Sequence, residues 1–81
     1  MAIQYLSAWD EIDSFLVSTP TPEQIFAFRP SEAAQFRLRE LLEANRQSLL
    51  SAEDHRELDE FMATETFIRR LKVKALVKLQ G

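Results

Sequence analysis

Apolar residues recur along this chain at helical spacing, in blocks separated by residues that start and stop helices. Behind Ser7-Ala-Trp-Asp10, which has the form of a capping box, Trp9, Ile12 and Leu16 fall three and four positions apart. Asp10, Glu11 and Asp13 suit the positive end of the helix dipole. This pattern predicts a first helix over about residues 8–18, extending back through Tyr5 and Leu6 and stopped by Thr19-Pro20. Thr21-Pro-Glu-Gln24 is a second start, with Pro22 at the first helical position, where its missing N–H costs nothing. That helix is short, because Pro30 pushes Arg29 out of the helical region.

Ser31 caps a third helix, on which Ala34, Leu38, Leu41, Leu42, Asn45 and Leu49 share one face about 100° wide. Ser51-Ala-Glu-Asp54 opens a fourth, which meets no Pro or Gly before Gly81. There is no alternating β-branched run and no internal glycine for a tight hairpin, so the chain reads as all-α and a single helical domain over residues 1–81. The short link at Leu49-Leu50 makes the last two helices an antiparallel pair, braced by short N-terminal helices into a small helical bundle. At 1.5 Å per residue the third helix spans roughly 25 Å and the fourth roughly 42 Å. The fourth therefore overshoots from Arg70 onward, and either residues 1–30 or another chain must cover the overhang.

Charge sharpens that expectation. Residues 1–66 carry five arginines against thirteen Asp and Glu, a net −8, while residues 67–81 carry five cations and no acid, a net +5. Ile68, Leu71, Ala75 and Leu79 form the apolar stripe of the tail, and Arg70, Lys74 and Lys78 form a cationic ridge beside it, flanked by Leu76. These seven, with Phe36, are the candidate partner-binding residues. Competing with a partner is an intramolecular reading: Asp10, Glu11, Asp13 and Glu23 lie in a segment with no cation, the one geometry nominates to cover the overhang. Docking on an anionic membrane is the weakest option, since the tail lacks the Trp or multiple Phe of an interfacial anchor.

Four residues depart from the simple pattern. Phe26 and Phe28 cannot share one side of a helical turn, so they either plug the end of the core or leave one ring for a contact. Phe36 lies nearly opposite the apolar face of its helix, a large ring to be covered by the N-terminal segment or by a partner. Asn45 is a polar group within that apolar face, expected either to fix the helix pairing or to bond the chain end near Ser48.

Chemistry is largely excluded. The chain has no cysteine, and its one histidine, His55, has carboxylates nearby but no rigid set of three or four ligands in the pattern. No acid, base and nucleophile constellation and no Gly-rich phosphate loop is recognisable, so the expectation is a non-enzyme with no cofactor and no metal. No apolar run nears the ~20 residues of a membrane span. The expected setting is the reducing cytoplasm.

The phrases Pro20-Thr-Pro-Glu-Gln-Ile-Phe-Ala-Phe-Arg-Pro-Ser31, Leu41-Leu-Glu-Ala-Asn-Arg46 and Ser51-Ala-Glu-Asp-His-Arg-Glu-Leu-Asp-Glu60 resemble a group of short bacterial helical proteins of unassigned function, some of them antitoxin-like. The resemblance covers about residues 20–79 and carries no catalytic signature. It departs at Ser48, where the pattern has glycine; a side chain held in the left-handed region there costs about 1 kcal/mol. The expected function is a small protein–protein interaction module, antitoxin-like or an adaptor, with a protein partner or a second copy. The alternative is a nucleic-acid-binding or regulatory module in which Arg69, Arg70, Lys72, Lys74 and Lys78 meet phosphates.

Overall fold

The structure, a computed structural model, describes residues 7–81. Among them are four helices and no strand: α1 (Ala8–Val17), α2 (Pro22–Phe26), α3 (Glu32–Arg46) and α4 (Ala52–Leu79). Each begins where a side chain replaces a missing intrahelical acceptor. Ser7, Thr21, Ser31 and Ser51 each accept the backbone N–H three residues on. At α2 the box is reciprocal, Gln24 Oε1 accepting the Thr21 N–H at 2.9 Å. The expected extension of α1 through Tyr5 and Leu6 lies outside the described residues.

The stops are less relaxed than the starts. Beyond α3, the Leu49 N–H donates to the Ala44 carbonyl (2.8 Å) and the Ser48 N–H to that of Asn45 (3.0 Å), the two bonds of a Schellman cap. That cap holds Ser48 at φ 59°, in the left-handed region that the missing glycine would occupy freely. Ser48→Gly should raise stability by about 0.5–1 kcal/mol, the relieved strain less the added freedom of the unfolded chain. On a thermal melt this reads as a gain of roughly 4 °C; an unchanged or lower midpoint contradicts it. Thr19, after α1, is also left-handed at φ 52°.

Packing centres on α4. Ala34 and Leu41 of α3 and Leu58 and Phe61 of α4 form one buried cluster, joined by partly buried Ala8, Leu38 and Leu50. Beside it, half-buried Arg37 reaches from α3 to α4. Its Nε and Nη2 take both oxygens of Glu57 (3.1 and 2.8 Å) and Nη2 also reaches Asp54 at 3.1 Å. The hydrogen bond to Glu57, above all, raises the Arg37 pKa further above its ordinary value, so this guanidinium stays charged at every accessible pH.

The apolar face expected on α3 is narrower than its pattern. Ala34 and Leu41 are buried and Leu38 partly so, but Leu42, Asn45 and Leu49 are exposed. Leu42 lies at the edge of the stripe, and Leu49 falls past the helix, in the cap, where Leu50 covers the cluster instead. Asn45 is in the last turn and contributes its backbone carbonyl to the cap, so the buried pairing role expected of its side chain is not what the fold uses.

α4 outlasts α3 by 13 residues (28 against 15), about 20 Å, and remains helical to Leu79. The N-terminal helices meet this overhang. α2 packs on α4 more extensively than either α1 or α3 does. Trp9 of α1 stacks at a tilt on Phe67 (centroids 5.5 Å apart), and Phe28 packs on Phe15 at 4.6 Å, leaving Phe26 exposed.

Candidate interaction surface

α4 carries two apolar faces, and among the described residues only one of them is used in internal packing. Leu58, Phe61, Thr64, Ile68 and Ala75 are buried, and Leu71 and Lys72 are half-buried. Thr64 Oγ1 satisfies itself by donating to the Phe61 carbonyl at 2.7 Å. Rotated roughly 100–180° from this seam are Met62, Val73, Leu76 and Val77. They are 47, 58, 39 and 63% exposed, and Leu79 is 42% exposed at the helix end. Val73, Leu76 and Val77 make a small apolar strip on the tail, with Met62 three to four turns upstream.

The candidate residues separate accordingly. Ile68 and Ala75 belong to the internal seam, and Leu71 is partly enclosed with them. Arg70, Lys74 and Lys78 are exposed along one edge of the apolar strip. Phe36 is exposed at 58% but projects from the side of α3 opposite Ala34 and Leu41, beside Glu32, Ala33 and Arg39, so the fold does not join it to the α4 surface. Sequence reasoning passed over Val73, Val77 and Met62. Their signal was a second 3-4 spacing, Met62, Thr66, Arg69, Val73, Leu76, Gln80, beside the stripe that became core.

Electrostatics corrects the expectation that N-terminal acids neutralise the tail. Among the described residues no ion pair joins Asp10, Glu11, Asp13 or Glu23 to a tail cation. Glu11 instead accepts the Ser31 N–H at 3.0 Å and the Ser31 hydroxyl, tying α1 to the start of α3. The overhang is covered by apolar packing. Of the tail cations, Arg69 pairs with Glu65 at 3.0 Å and Arg70 sits 5.7 Å from the Phe67 ring centroid. Lys72, Lys74 and Lys78 have no carboxylate within ion-pair distance among the described residues.

Among the described residues a partly open cleft of about 240 Å³ lies between α1, the α2–α3 connection, α3 and α4, lined by Ile12, Phe28, Ala34, Leu38, Phe61 and Ile68, with Glu11, Glu65 and Lys72 among the polar residues lining it. Glu11 and Glu65 are already engaged by Ser31 and Arg69. His55 is exposed, and among the described residues no group of three His, Cys, Asp or Glu is placed to hold a metal ion. No helix of the described residues is long and apolar enough to cross a membrane.

No protein-family model, curated protein or solved structure matches the chain.

Proposed function

We propose that this protein is a small non-catalytic protein–protein interaction module, of the adaptor or antitoxin-like kind. In this reading α3 and α4 form an antiparallel pair braced by α1 and α2, and the outward face of the second half of α4 is the contact surface. The arrangement is supported by the order of contacts, since Ala34 clusters with Phe61 while Arg37, further along α3, reaches back to Glu57 and Asp54. A single observation carries the functional reading. Val73, Leu76 and Val77 stay exposed beside cations that no carboxylate neutralises, on a helix whose other face is already committed to the core.

A surface for nucleic acid would need the cations without the apolar strip, and Arg69 is already paired. The two readings separate in one experiment: a photoreactive residue at Val77, irradiated in cells, with adducts classed as protein or nucleic acid. Protein adducts at Val77 and none at a control position, Asp13, are expected. Nucleic-acid adducts, or oligonucleotide binding in vitro with a log–log salt slope near −3 from three phosphate contacts, would replace this reading with the alternative.

A further inference from the structure

Resting on that reading, we infer that the occupant of the α4 surface is a second copy of the same chain, its α4 laid antiparallel along the first. The outward face is long and uninterrupted. His55, Asp59, Met62, Thr66, Arg69, Val73, Leu76, Val77 and Gln80 are all exposed and follow one another at helical spacing over about 25 residues, or roughly 38 Å. Nothing else in the described chain covers it.

Charge selects the partner and its direction. Residues 52–65 of α4 hold six carboxylates and one arginine, a net −5, and residues 66–79 hold five cations and no acid, a net +5. On or beside that face, Asp59 of the first half forms no ion pair or side-chain hydrogen bond among the described residues, and neither do Arg70 and Lys74 of the second. α4 is thus its own electrostatic complement when reversed. Parallel association would set cation against cation over half the length; the reversed one sets each acidic half against a cationic half and lets Val73, Leu76 and Val77 approach Met62 of the other copy. Such an isologous contact satisfies the acidic and basic excess together, which a purely acidic foreign surface does for the tail alone.

The test uses the full chain. Sedimentation velocity across concentration should show a monomer–dimer equilibrium that weakens as salt rises, because the pairing halves are opposite in charge. Val73→Asp with Val77→Asp should weaken the dimer at least about tenfold while leaving helicity and the thermal midpoint of the monomer unchanged, since both side chains are already solvated. Lys74→Glu should weaken it as well, and Asp59→Lys in the same chain should restore it. The chain has no cysteine, so direction is read directly. Thr66→Cys or Arg69→Cys, near the middle of the face, should form an intermolecular disulfide with itself under mild oxidation, and Gln80→Cys should not.

A dimer indifferent to the valine pair, or one in which Gln80→Cys links to itself, overturns the inference. So does a chain that stays monomeric to about 0.5 mM, a concentration at which even weak association registers. In that last case protein adducts at Val77 other than the chain itself would leave the interaction reading intact, whereas their absence would remove both.

Discussion

A chain ending at Glu65 should fail to fold. The cut removes Phe67, on which Trp9 stacks, together with Ile68, Leu71 and Ala75, the inner face of the α4 overhang. What remains is α1, α2, α3 and a stub of α4, whose buried cluster is Ala34, Leu41, Leu58 and Phe61 with partly buried Ala8, Leu38 and Leu50. At about 25 cal/mol per Å² a cluster of that size does not offset the conformational entropy of ordering some fifty residues, each costing on the order of 1.5 kcal/mol. Helicity at 222 nm should therefore fall by far more than the loss of sixteen residues explains, and the cooperative thermal transition should disappear. A shortened chain that still melts cooperatively near the parent midpoint would show that the tail is an appendage and not a platform.

Leu41→Ala should cost about 3 kcal/mol. Leu41 is 1% exposed and, among the described residues, is the largest side chain so fully enclosed, wedged where α3 meets α4 beside Leu58. Truncation there removes transfer energy and leaves a cavity whose walls are helices, which collapse only in part. For a chain of this length, with a total stability on the order of 4–12 kcal/mol, that loss should lower the melting midpoint by roughly 15 °C. Phe36→Ala, five residues earlier on the same helix, should change it by less than about 0.5 kcal/mol, because that ring is already 58% exposed. Urea denaturation of the two variants tests the contrast. Equal effects would mean that α3 is rotated relative to the packing described.

Local rules carried much of the architecture. The four starts are caps of three or four residues each, Pro22 and Pro30 act on their neighbours alone, and the strain at Ser48 follows from one missing glycine. Such signals depend on atoms within a single turn, so they survive without knowledge of the partner helix. The α3 stripe was legible only at its centre: periodicity nominates a face about 100° wide, but how much of it is covered depends on the helix that arrives, and α4 leaves Leu42 in solvent. On α4 two apolar registers lie side by side, and spacing alone does not rank them. α2, α1 and α3 claimed one, so Ile68 and Ala75 became interior while Val73 and Val77 stayed outside.

Charge was the other place where pattern outran contact. A −8 body and a +5 tail invite the two to meet, yet an ion pair needs charged atoms within about 4 Å, a condition set by how elements cross. Glu11 was drawn to the free amide at the head of α3, and Arg70, Lys74 and Lys78 were left facing outward. Helix positions and their limits were thus written in short-range stereochemistry, readable one turn at a time. Which side of α4 faces inward, and which charges stand free, was settled by the assembly of distant segments, because burial and ion pairing act between residues that only folding brings together.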